Sequence, residues 1–121
     1  MHDERGKRMI SRSLMAASTK PILLSILLGG EDYGYNIIRK VKDLSAGALE
    51  WADGTIYPVF QRLEKDGLVS SRWIASPEGR FRKYYKITAQ GRLELAEEMA
   101  QWQSVIKALG KLGKLLPVLE S

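Results

Sequence analysis

The sequence predicts a mostly α-helical fold with one small β-hairpin, ending in a long helix. Apolar residues recur at helical spacing in three segments before Gly67, and the period then switches to two over two short runs separated by Ser76-Pro77-Glu78-Gly79. Beyond Thr88 a further apolar row steps by four and three, farther than so small a domain can cover.

The composition narrows the function classes. The chain has 121 residues, enough for one domain with an appended element, and its 45% hydrophobic content suits a packed core. It has no cysteine, and its single histidine is His2 in a polar terminus. Disulfides, thiolate chemistry and cysteine zinc sites are therefore excluded, and no metal or cofactor is expected. Neither a nucleophilic triad nor a glycine-rich phosphate loop is present, so an enzyme is not expected. The apolar run 21–28 is interrupted by Ser25 and too short to cross a bilayer, and the first residues lack the apolar stretch of a signal peptide. The reading is a cytoplasmic protein with no membrane partner. The net charge of +5 favours a polyanionic partner, although it suits acidic membranes as well as nucleic acid.

The elements follow in order. Residues 1–9 carry both charge signs and are expected to be poorly ordered. A first helix spans about 11–28, with Leu14, Ala17, Ile22, Leu23, Ile26 and Leu27 at helical spacing; Pro21 either kinks it or opens a second helix capped by Ser18 or Thr19. Gly29-Gly30 ends it. A second helix over about 33–44 gathers Ile37, Ile38, Val41 and Leu44 on one face. Residues 45–53 are a connection with a short turn near Trp51. A third helix begins near Thr55, capped by Asp53 or Thr55, carries Pro58 in its first turn and stops at Gly67. Residues 68–75 and 80–88 form the hairpin, and Thr88 caps a last helix reaching about Leu116. This order describes a winged helix-turn-helix domain at 10–88, followed by a long C-terminal helix, expected to dimerise, at 89–121.

If Ile56, Val59, Phe60 and Leu63 turn inward, the third helix presents Tyr57, Gln61, Arg62 and Lys65, with Thr55 at its start. In a major groove, Gln pairs with adenine and Arg with guanine, while Tyr57 and Thr55 suit phosphates. An ordinary solvated helix face carries the same residue types, and the hairpin tips the balance. Its run Arg80-Phe81-Arg82-Lys83-Tyr84-Tyr85-Lys86 interleaves four bases with three aromatics. Alternation sends Phe81, Lys83 and Tyr85 to one face and Arg82, Tyr84 and Lys86 to the other. Tyr85 and Ile87 anchor the wing, while Arg80, Arg82, Lys83 and Tyr84 are expected to meet double-stranded DNA. A solubilising edge strand is the competing reading.

In the last helix Leu95, Met99, Trp102, Ile106 and Leu109 form a seam. It continues through Gly113 to Leu116, flanked by Val105, Leu112 and Leu119. Pairing with a second copy is expected, which would set two recognition helices on the half-sites of a palindrome; folding back onto the same domain is the alternative. Trp102 either packs in that seam or, as a pair, frames a flat pocket for an aromatic ligand.

Tyr33-Gly34-Tyr35-Asn36-Ile37-Ile38, Gly54-Thr55-Ile56-Tyr57-Pro58, Arg62-Leu63-Glu64-Lys65-Asp66-Gly67-Leu68 and the wing from Gly79 to Thr88, with Gly91 after it, resemble the PadR family of transcriptional regulators. The resemblance covers about residues 21–102 and points to the compact branch. It implies a homodimeric repressor of its own or a neighbouring efflux or detoxification gene, in some members released by phenolic acids or hydrophobic drugs. It adds Tyr35 to the DNA contacts. It matches Trp102 to a stacked Trp pair in a drug-responsive member, with Leu14, Ala17, Ser18, Pro21, Met99 and Ile106 lining the same cavity. Some features depart from the pattern. Pro21 would reshape that cavity, and Lys107, Lys111 and Lys114 favour a neutral or anionic aromatic over a cation. Phe81 interrupts an otherwise all-arginine wing tip and lowers the expected salt dependence. A protein-interaction module, and a DNA binder without an effector, remain the competing readings.

Overall fold

The chain is described here by a computed structural model covering residues 10–52 and 54–115. The order is α1 (Arg12–Ile26), a 3₁₀ turn (Leu27–Gly29), β1 (Asp32–Tyr33), α2 (Gly34–Leu44), α3 (Ile56–Lys65), β2 (Val69–Ala75), β3 (Phe81–Ile87) and α4 (Ala89–Leu115). Residues 1–9, the Asp53 cap and the seam positions Leu116 and Leu119 lie outside the described residues. Among the described residues no helix is long and apolar enough to cross a membrane.

Ser11 caps α1 by accepting a hydrogen bond from the Leu14 amide at 3.2 Å. The helix then runs unbroken through Pro21, whose ring is buried. Ser18 and Thr19, considered above as caps of a second helix, instead donate backward to the Leu14 carbonyl at 2.7 Å and the Met15 carbonyl at 2.5 Å. Leu23, Leu24 and Leu27 from this segment are buried in a core with Ile37 and Val41 of α2 and Ile56, Phe60 and Leu63 of α3. Trp51 joins them. Its indole N–H donates to Thr19 Oγ1 at 3.1 Å, so the connection after α2 is pinned into the core and is more than a surface turn.

The sheet has the order β1-β3-β2, all antiparallel. The hairpin register pairs Val69 with Ile87 and Ala75 with Phe81. The third strand, β1, adds only two residues, pairing Asp32 with Tyr85 and Tyr33 with Tyr84. Tyr85 and Ile87 are buried beneath the sheet, as the alternation requires.

Two junctions fix α4 to this frame. Gly67 ends α3 in the left-handed conformation (φ 79°), and its carbonyl accepts a bond from Thr88 Oγ1 at 2.7 Å. The same hydroxyl oxygen caps α4 by accepting from the Gly91 amide at 3.0 Å. Farther along, Lys20 of α1 bridges Glu94 at 2.9 Å and Glu98 at 2.6 Å on α4. Hydrogen bonds to Glu98 and then Glu94 raise its pKa above the usual lysine value, so the Lys20 ammonium stays charged at neutral pH.

Gly91 sits directly against the end of the hairpin: a Cβ there would overlap the Leu68 carbonyl oxygen and press on the Ile87 side chain. Backbone cannot yield as a side chain does. Gly91→Ala is expected to destabilise the fold by about 1–3 kcal/mol, read as a lower denaturation midpoint at unchanged m-value. An unchanged midpoint would show that α4 is not seated on the sheet in this way.

Candidate nucleic-acid interface

The outer face of α3 is set by its period. With Ile56, Phe60 and Leu63 buried, Tyr57, Gln61, Arg62 and Lys65 all emerge exposed. Thr55 is exposed at the helix start, but its side chain makes no capping bond; it sits in helical conformation, where the hydroxyl is not aimed at the first-turn amides.

The wing stands beside this helix because Tyr85 stacks on Phe60, ring centroids 4.1 Å apart and planes 11° from parallel. Between the wing, α3 and the start of α2 lies an open groove of about 540 Å³. Five of the residues expected at DNA converge on it: Tyr35, Tyr57, Arg80, Arg82 and Lys83. Tyr57 reaches the groove by lying on the backbone of α2, its Cε1 2.9 Å from where a Cβ of Gly34 would be.

Electrostatics distribute the wing's bases unequally. Arg80 is exposed at the tip and has no carboxylate partner among the described residues. Arg82 rests over the Tyr33 ring at 4.5 Å. Lys83 does not project as expected: its ammonium lies 3.6 Å from Glu64 Oε1 and 5.7 Å from the Tyr85 ring centre. Glu64 also accepts a bond from Ser71 Oγ at 2.6 Å, so Lys83 shares its charge with a carboxylate held in place. Tyr84 is outside the groove, half-buried against Tyr33 with ring centroids 5.3 Å apart. Arg72 is occupied by Glu31 through two bonds of 2.6 and 3.1 Å, and that guanidinium holds the Glu31 carboxyl below its ordinary pKa.

Asp32 organises the entry to α2. It is buried, accepts from the Tyr33 amide at 2.9 Å and from Asn36 Nδ2 at 2.8 Å, and pairs with Lys40 at 2.7 Å. Sequence reasoning missed it, along with Trp73 and Phe81 as features of the groove wall. The hairpin register was the available signal, since it puts both aromatics on the face of Lys83 and Tyr85.

A second, apolar cleft of about 550 Å³ lies between α1, the end of α2 and α4. Ser18, Pro21, Met99, Trp102 and Ile106 line it; Leu14 and Ala17 do not, being exposed on another part of α1. Ile22, Ile26, Leu44 and Leu49 complete the wall in their place. Leu95, expected on the dimer seam, is buried in the core of its own chain, because α4 still lies over the domain at that point. The exposed row begins at Met99 and includes Val105, Ile106, Leu109 and Leu112.

The sequence profile of the transcriptional regulator PadR-like family matches residues 23–97, more than half of the chain. The chain belongs to this family. A transcriptional regulator of Clostridium thermocellum superposes on it with TM-score 0.77 at 28% identity, over 85% of this chain and 97% of the other. A PadR-family regulator of Eggerthella lenta gives TM-score 0.72 at 32% identity, over 83% and 85%. An uncharacterized protein of Lysinibacillus sphaericus is 30% identical over 97 residues, 80% of this chain and 89% of its own length. As a PadR-like regulator the protein acts in transcription and is not an enzyme.

The close approach of Gly34 to Tyr57 gives this PadR-like groove a specific sensitivity. Gly34→Ala adds a methyl at the first residue of α2, outside the helix interior, and the ring it meets is exposed and can turn away. The expected result is a melting temperature close to wild type together with a several-fold loss of duplex-DNA affinity, as Tyr57 is pushed off its site. Unchanged affinity would remove Tyr57 from the interface.

Proposed function

We propose that the protein is a homodimeric, sequence-specific DNA-binding repressor. The outer face of α3 enters the major groove, where Gln61 and Arg62 meet base edges and Lys65 a phosphate. Arg80 and Arg82 of the wing take the adjacent backbone, and Thr55, Tyr57 and Tyr35 add phosphate contacts near the helix starts. Lys83 contributes less than a free lysine because Glu64 already faces it. One observation carries this reading: residues from α2, α3 and the wing converge on one groove bordered by two arginines.

The exposed row on α4 supports pairing with a second copy, since Met99, Ile106 and Leu109 would otherwise stay in water. Repression of its own or a neighbouring promoter, and a cytoplasmic location, follow from the family resemblance and a DNA partner. In vitro selection from a randomised duplex pool at near-physiological salt is expected to enrich a two-fold symmetric motif with half-sites about one helical turn apart. A sequence-blind pool, with tight binding to another protein instead, would favour an interaction module.

The apolar cleft supports a ligand arm to this function. A neutral or anionic aromatic compound stacked near Trp102 would act by favouring a dimer geometry that mismatches the operator, which requires unequal affinity for the two states. Aromatic compounds are expected to change tryptophan emission in wild type and not in Trp102→Phe, where Trp51 and Trp73 remain as background. Equal responses in both proteins would leave Trp102 as packing alone.

A further inference from the structure

Trp73 and Phe81 are 64% and 66% exposed, although they are among the largest apolar side chains of the chain. The hairpin register pairs Trp73 with Lys83 and Ala75 with Phe81, which makes the two aromatics diagonal neighbours on one sheet face. That face continues inward to Tyr85, so the pair forms the outer wall of the groove that α3 closes on the other side. β2 is an edge strand, where an exposed Trp is a hazard for strand-on-strand association. Burial against a partner removes that hazard.

Charge identifies the partner. Arg80 and Arg82 flank Phe81, the first just before β3 and the second within it, and Glu78 is the single acid of the turn and wing tip from 76 to 83. The patch is therefore apolar at its centre and cationic at its border, the complement of a nucleic-acid groove with sugars inside and phosphates along the rims.

We propose that Trp73 and Phe81 form an apolar wedge that enters the DNA minor groove beside the half-site read by α3. There the rings pack on deoxyribose and widen the groove, so the wing selects flanking sequence by deformability and by the absence of the guanine 2-amino group. The inference rests on the DNA-binding reading and adds to it a specificity that phosphate contacts alone cannot supply.

The test uses the full chain and duplexes carrying one selected half-site arrangement with three flanks: A·T, G·C, and inosine·cytosine, which keeps the G·C major groove but lacks the 2-amino group. Wild type is expected to bind the A·T and inosine flanks about tenfold more tightly than the G·C flank. Trp73→Ala and Phe81→Ala should each shrink that ratio toward one, with an unchanged slope of log K against log salt and an unchanged melting temperature. Arg80→Ala should lower the slope by about one and keep the flank ratio. A wild-type protein that binds the selected motif but ignores the flanks overturns the wedge and leaves the DNA-binding reading standing. So does a flank preference that survives both aromatic substitutions. A wild-type protein that does not distinguish the motif from random duplex overturns both.

Discussion

The stack of Tyr85 on Phe60 sets the relation between the two functional surfaces of this protein. Both rings are buried, and their mutual contact adds about 0.5–1.5 kcal/mol beyond the apolar area they remove from water. The ion pairs of the wing are surface pairs: that of Lys83, which lines the groove, with Glu64 is worth about 0–1 kcal/mol, and Arg72 with Glu31 lies on the opposite sheet face. They tune the charge of the wing; the aromatic contact holds it at its distance from α3. Because strand alternation is strict, anchoring Tyr85 inward also fixes where Trp73, Phe81 and Lys83 stand. One packed pair thus converts a helix and a hairpin into a groove.

Much of this frame was legible in the sequence because local chemistry specified it. Gly67 needs a left-handed conformation, and Thr88 is a capping residue ahead of a helical row, so the end of α3 and the start of α4 fall where those residues stand. The parts that escaped depend on distant partners. β1 is two residues long and exists only through its bonds to β3, some fifty positions away. Trp51 looked like part of a loop because its partner, Thr19, lies on another helix. Pro21 left two outcomes open, and burial of its ring in a continuous α1 decides between them at the level of packing, where propensity is silent.

The candidate site divides along the same line. Periodicity alone placed Tyr57, Gln61, Arg62 and Lys65 on the open face of α3. It did not place Lys83, whose neighbour Glu64 comes from another element, nor set Tyr84 apart from the groove. On α4 the repeat continues evenly from Leu95 to Leu109, and nothing in it marks where burial by the domain ends; the structure buries Leu95, half-buries Trp102 and leaves the row exposed from Val105 to Leu112. The apolar cleft was half legible: Trp102 and its neighbours on α4 were found, whereas Leu44 enters from the end of α2 and Leu49 only because the segment after α2 folds back over α1.

The central claim is that the groove between α3 and the wing is the surface that meets DNA. Its most direct test is to follow the backbone amide resonances of the full chain while duplex DNA is titrated in. The account predicts that the largest changes cluster at residues 33–36, 55–65 and 80–83, with the lining of the α1–α4 cleft little affected. Changes confined to that cleft and the exposed row of α4, with α3 and the wing silent, would contradict it.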